Sequence, residues 1–242
     1  MRVVSASRVR DEEVLLPWLV ANLTHVDEIH LADGGSTDRS IIRMAELAAV
    51  DARIKVSVWP KKVLHFFDQE KHMRFTFEQA FDGGADWLYY ADADEIASIA
   101  LQEGLREWLH AQAWPAKTCV TFPFYSTAPG WLTHYSECYG MLPRMWNWVP
   151  AHIPGKGYPH DFEPPNHVIP APPEMLICHF NWAMARRFAR KRVWYERWRG
   201  YPSWHPDEKF KMRALMPRDS LWHSPTGEMV GPQDMVMLGE DL

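Results

Sequence analysis

Three carboxylates stand within four residues at Asp92-Ala93-Asp94-Glu95, directly after the apolar run Trp87–Ala91. Acids massed this way repel one another unless positive charge lies between them, and a hard divalent cation carrying phosphate oxygens meets that need. The run before them has the length and aromatic content of a buried strand. Open α/β sheets bind ligands beyond the carboxyl ends of their strands, which would put these acids at the mouth of a crevice. A plain acidic loop with a helix-capping Asp fits the same residues.

Two other stretches carry the means for chemistry. Asp33-Gly34-Gly35-Ser36-Thr37-Asp38 leaves a short strand on two glycines and enters a helix on Ser, Thr and Asp, a composition suited to close backbone approach and helix capping. Cys178-His179-Phe180 follows the apolar stretch Met175–Ile177 and precedes a basic segment, Arg186–Arg199, which holds one acid, Glu196. That segment reads as a solvated helix face or as a contact for phosphate or an acidic acceptor.

The elements that must position these residues alternate. Strands are predicted at 2–6, 28–32 and 53–59 and over the run into Asp92. Helices are predicted from Asp11-Glu12-Glu13 through Leu23, over 39–49 and over 69–81, where Met73, Phe77 and Ala80 share a face. Strand and helix alternating four times predict an α/β fold, a mostly parallel central sheet flanked by helices. Beyond residue 100 the alternation weakens. A helix is predicted over 101–113, strands at 118–124, 140–148 and 175–179, and a helix over 183–199. A long loop rich in Pro, Gly and His covers 149–173. No internal repeat or linker divides the chain, so it reads as one domain with an elaborated second half.

Composition narrows the class. The chain has 242 residues, and 47% apolar content is enough to fill a core. No apolar run approaches the roughly 18 residues that span a bilayer. The first residues read as a strand rather than a leader, so the expectation is a soluble, cytoplasmic protein. A net charge of −5 gives no general case for nucleic-acid or membrane binding. Cys119, Cys138 and Cys178 are odd in number and widely spaced, and read as reduced thiols. Thirteen Trp are unusually many: most belong to a core, though such rings also stack on sugars and bases.

The Asp33–Asp38 loop after the second strand and Asp92-Ala93-Asp94 after the fourth, about sixty residues apart, resemble the GT-A-fold glycosyltransferases, in particular family 2-like enzymes. The resemblance covers residues 1–100 well and 140–200 more patchily. It implies a nucleotide-sugar-binding half (1–100), an acceptor-side half (101–200) and a C-terminal extension (201–242). It also implies a donor, UDP-sugar first, and a Mn²⁺ or Mg²⁺ ion. Asp33 would contact the base or ribose, Asp92 the ribose or metal, and Asp94 the metal. Glu95 would brace the loop or the donor sugar, and Lys71 and Arg74 would reach the phosphates. Asp38 is read as a helix cap instead. His179 would be a further metal ligand, and neutral imidazole suits Mn²⁺ better than Mg²⁺.

In inverting members of the family a carboxylate near the acceptor takes the hydroxyl proton. Asp161 is preferred here, then Glu163, with Glu137 third. The usual signature for that base is not recognisable in this chain. Arg144 is placed to steer the acceptor. The acceptor implied is a glycan, with a modified DNA base as the rarer alternative. Two other classes stay open. A nucleotidyltransferase would carry a Gly-rich, basic segment just after its first strand, where this chain reads Ser5-Ala6-Ser7-Arg8-Val9-Arg10-Asp11, without glycine. A non-catalytic carbohydrate- or nucleic-acid-binding module would not need Asp92 and Asp94 intact.

Overall fold

The computed structural model describes residues 1–60, 66–127, 136–148 and 165–179, with short pieces at 213–214, 222–223, 226 and 228–230; for 66–70, 126–127, 136–140, 213–214, 222–223 and 229–230 it describes the backbone alone. In chain order the elements are β1 (Val3–Val9), α1 (Leu16–Ala21), β2 (Glu28–Asp33), α2 (Ser40–Val50), β3 (Ile54–Val58), α3 (Phe66–Asp82), β4 (Trp87–Tyr90) and β5 (Glu95–Ala97). Then follow α4 (Ile99–His110), β6 (Thr118–Thr127), β7 (Ser136–Trp146), β8 (His167–Pro170), β9 (Ile177–His179) and β10 (Arg213–Ala214).

The main path of the sheet runs β3-β2-β1-β4-β7-β6-β9-β5, with β8 beside β6 and β10 beside β7. The strands β3, β2, β1 and β4 are parallel throughout. β7 turns antiparallel to both β4 and β6, β5 is antiparallel to β9, and β6 is parallel to β8 and β9. The expected α/β sheet is therefore present, with its parallel character concentrated in the first half.

Burial explains why these segments are strands. Trp87 and Tyr89 of β4 face one apolar layer, while Leu88 and Tyr90 face another. Parallel strands covered on both faces read as continuous apolar runs, as this one does. Leu16 and Leu19 of α1, Met44 of α2 and Leu101, Leu105 and Leu109 of α4 fill the first layer. Met73, Phe77 and Ala80 of α3 fill the second, the helix face that the periodicity identifies. Gly84, at φ +82, takes the left-handed turn that ends α3 and lets the chain enter β4.

Two expectations are corrected, and one strand is added. The acids Asp11, Glu12 and Glu13 do not open a helix, because α1 starts only at Leu16. Residues 95–97 form a short strand. Residues 167–170 lie within the expected loop but pair with β6. The expected helix over 183–199, with its arginines, lies outside the described residues, as do 149–164 and most of the tail.

Candidate active site

β1 has β2 on one side and β4 on the other, so the chain winds outward in both directions from it. The carboxyl ends of β1 and β4 form the switch point where an open sheet holds its ligand. Arg8, near the end of β1, and Asp92, just past β4, meet there.

The first loop holds its acids with backbone donors. Asp33 ends β2 and is buried. Its carboxylate accepts from the N–H of Gly35 at 2.9 Å and of Ser36 at 3.2 Å. Gly35 sits at φ +89, a conformation open to glycine at little cost. Asp11 also takes a left-handed φ, +55, which Asp tolerates better than most residues. From there its Oδ1 accepts from Thr37 N at 2.6 Å, Thr37 Oγ1 at 3.1 Å and Asp38 N at 3.3 Å. In return Ser36 Oγ accepts from Asp11 N, Ser40 Oγ from Glu12 N and Asp38 from Glu13 N. The acids that the sequence assigns to a helix start instead lace two strand-end loops together. Asp38 accepts from Ser40 N at 2.8 Å, but it lies one residue before the N-cap of α2, which is Arg39 and carries no side-chain cap, so the expected cap role is corrected to a turn contact.

The second loop holds its acids with charged side chains. Arg8 donates from Nε to Tyr90 Oη at 2.8 Å and from an Nη to Asp92 Oδ1 at 3.0 Å; Tyr90 Oη donates to the same carboxylate oxygen. Burial pushes the Asp92 carboxyl up, but Arg8, Arg144 and the Tyr90 hydrogen bond together outweigh it and hold the group below the usual carboxylate range. Glu95 receives two bonds from Arg144, Nε to Oε2 at 2.8 Å and an Nη to Oε1 at 2.6 Å. Its Oε2 also accepts from the Asp92 N–H at 3.3 Å, which closes the loop on itself. Burial raises the Glu95 carboxyl while Arg144 opposes it, and Glu95 in turn raises the Arg144 guanidinium against its own burial. Arg144 is thus occupied in bracing this loop, a correction to its expected role toward an acceptor.

Between these two charge pairs lies Asp94. Glu95 stands opposite His179 in the β5–β9 register, and Asp94 Oδ2 comes to 3.2 Å from His179 Nε2. The His179 ring rests against Phe124 at 5.4 Å. One carboxylate oxygen and one imidazole nitrogen converge on one point, a donor set that fits a divalent ion of the Mn²⁺ type completed by phosphate oxygens. No group of three or more His, Cys, Asp or Glu forms a metal cage among the described residues.

The remaining site candidates are placed as follows. Lys71 and Arg74 lie on the exposed face of α3, and Arg74 pairs with Glu78 at 2.8 Å. His72, between them, is buried against the strand ends. Glu137 lies on β7 opposite Ser126 and Arg213, with only its backbone described. Asp161 and Glu163 lie outside the described residues. Cys119 and Cys178 are buried free thiols. No described helix is long and apolar enough to cross a membrane.

Fold and strand-end loops define the class: the chain adopts the fold of the GT-A-type glycosyltransferases. No protein-family model and no curated protein matches it. Among solved structures it resembles residues 1–349 of TarS from S. aureus, at 12% identity and TM-score 0.55, covering 78% of this chain and 63% of that one. It also resembles a mannosyltransferase from Pyrobaculum calidifontis solved with GDP-Man and Mn²⁺, at 13% identity and TM-score 0.53, covering 79% of this chain and 60% of that one. The chain spans less than two thirds of the length of either. Likeness at this level establishes the fold and leaves the chemistry to the residues.

Proposed function

We propose that the chain is a metal-dependent glycosyltransferase that moves a sugar from a nucleoside-diphosphate sugar to an acceptor hydroxyl with inversion. The observation that carries this reading is the convergence of Asp94 and His179 at 3.2 Å beside a loop whose other acids are already neutralised. Asp92 and Glu95 each have a guanidinium partner, and these two pairs fix the loop on either side of Asp94. The GDP-Man and Mn²⁺ in the neighbouring mannosyltransferase support the same class of donor.

Asp94 and His179 would hold the ion, and a divalent ion bound there supplies counter-charge to a departing diphosphate. Arg8 keeps Asp92 ionised and turned toward the crevice, where the carboxylate would take a ribose hydroxyl. Asp33 would accept from the nucleoside at the end of β2. Glu95 and Arg144 fix the loop so that Asp94 does not have to be ordered when the donor arrives. In the transfer, the acceptor oxygen forms its bond to the anomeric carbon as the bond to the diphosphate breaks, and a carboxylate takes the hydroxyl proton. Asp161, then Glu163 and Glu137, remain the proposed bases. UDP-sugar is the first donor to test and a glycan the first acceptor.

Hydrolysis of a panel of UDP-, GDP- and dTDP-sugars with Mn²⁺ tests the reading. Slow release of one nucleotide by the parent, abolished in Asp94→Ala, is the expected result. No release from any donor, together with no metal-dependent nucleotide binding by calorimetry, would overturn it.

A further inference from the structure

Tyr90 ends β4 fully buried, and its hydroxyl meets both Arg8 and Asp92. The backbone brings the three together. Ala6 stands beside Tyr90 in the β1–β4 register, and side chains two residues apart on a strand share a face. Arg8 and Asp92 therefore meet one step further along, on the face that Tyr90 occupies.

The hydrogen bonds among them have a direction. Arg8 Nε donates to Tyr90 Oη at 2.8 Å, which leaves the hydroxyl's one proton for Asp92, and Oη donates to Asp92 Oδ1. An Nη of Arg8 donates to the same Oδ1 at 3.0 Å. Among the described residues no hydrogen bond reaches Asp92 Oδ2, although the side chain is 26% exposed. The carboxylate is gripped by one oxygen and offers the other. The tyrosine ring is held as well. Phe77 of α3 meets it edge-on at 5.4 Å, and the guanidinium carbons of Arg8 and Arg144 lie 5.7 and 5.5 Å from its centre, within the range of cation–ring attraction. Arg144 is itself pinned by Glu95.

Resting on the donor reading above, we infer that Tyr90 is a positioning residue for the donor's ribose: with Arg8 it grips Asp92 Oδ1 and so presents Oδ2 to the 2′,3′-diol. A carboxylate that could still turn would have to be ordered when the nucleotide arrives, and one already held does not. The site then tells a ribose from a sugar without those hydroxyls through a side chain that does not touch the sugar.

The test is calorimetric binding, in saturating Mn²⁺, of UDP, GDP, the 2′,3′-dideoxy form of whichever binds more tightly, and inorganic pyrophosphate. The proteins are the parent, Tyr90→Phe, Asp92→Asn and the double variant. Tyr90→Phe keeps the ring and removes the hydroxyl. It is expected to weaken the ribonucleotide about threefold to tenfold, the worth of one hydrogen bond, and to leave the dideoxy form and pyrophosphate unchanged. Asp92→Asn should lose at least as much, and the double variant no more than Asp92→Asn, because the hydroxyl acts through that carboxylate. A parent-like preference for the ribonucleotide in Tyr90→Phe overturns the inference. Equal weakening of every probe overturns it too, since that marks a structural role only. If Tyr90→Phe does not fold, Arg8→Lys decides: it has one nitrogen for the two oxygens that Arg8 holds with two, and its keeping the preference overturns the inference. A parent that binds nucleotide with no preference for the ribose overturns the inference alone. A parent that binds no nucleotide overturns the transferase reading, and this inference with it.

Discussion

Asp94 and Glu95 are neighbours in the chain, and each faces a basic side chain from a distant strand, yet the two pairs are built differently. Glu95 and Arg144 are 2% and 4% exposed and share two short hydrogen bonds. Asp94 and His179 are 5% and 17% exposed and approach each other at 3.2 Å. A buried bidentate pair is fixed, because either charge alone would be stranded in low dielectric. A carboxylate–imidazole approach at a partly exposed ring can be exchanged for another ligand. The difference separates a brace from a binding site within two consecutive residues, and the brace is what holds the site in place.

Cutting the brace is the strongest way to break this contrast. Arg144→Met leaves Glu95 buried without its cation and is expected to cost about 3–5 kcal/mol of folding stability in chemical denaturation. Asp94→Ala is expected to show the reverse profile: stability within about 1 kcal/mol of the parent, but donor hydrolysis reduced at least about a hundredfold, the scale for removing one preorganised charge-stabilising group. Equal losses of stability in the two variants would erase the distinction drawn here.

The fold of the first ninety residues is legible in the sequence because strand and helix segments alternate, β4 is a continuous apolar run and α3 buries one face through Met73, Phe77 and Ala80. Legibility fails where tertiary partners decide. Glu95–Ala97 is too short for any period to show, and it becomes a strand only because β9 runs beside it. Asp11 looks like a helix start, but a left-handed backbone turns its carboxylate onto Thr37 and Asp38, 26 and 27 residues on. Arg144 reads as free until Glu95, 49 residues away, is seen to hold it. His72 had a usable signal: it lies four residues before Thr76 on the buried stripe that includes Met73 and Phe77, whereas Lys71 and Arg74 fall outside that stripe. Asp33, Asp92 and Asp94 were legible as strand-end acids, although what holds each of them was not.

A pH titration sharpens the comparison from another side. His179 has an acid beside it, whereas neither nitrogen of His25 has a hydrogen-bond partner among the described residues. Burial pushes His25 and His72 down to about 3. Below pH 6.5 the unfolded chain binds protons at these rings and the folded chain does not, so acid favours unfolding. Stability contributed by each is full above pH 6.5 and is lost on the way down toward pH 3, at up to about 1.4 kcal/mol per pH unit per histidine. Thermal melts between pH 7 and 5 should show the fall, and His25→Leu should reduce its slope. A melting temperature flat over that range would contradict the burial of these rings.

The smallest expected effect lies where β9 meets α4. Ser98 Oγ caps α4 by accepting from Leu101 N at 3.3 Å, and it also accepts from Leu176 N at 3.2 Å, just before β9. Ser98→Ala should cost about 1 kcal/mol in denaturation and leave Mn²⁺ binding intact. Loss of the ion in this variant would mean that positioning His179 depends on more than the Glu95 brace.

The most direct measurement is a Mn²⁺ titration followed by electron paramagnetic resonance, with UDP present, comparing the parent with Asp94→Asn and His179→Ala. The account predicts one bound ion per chain in the parent, at least tenfold weaker binding in each variant, and unchanged melting of the metal-free proteins. Undiminished binding in both variants would contradict it and move the site away from Asp94 and His179.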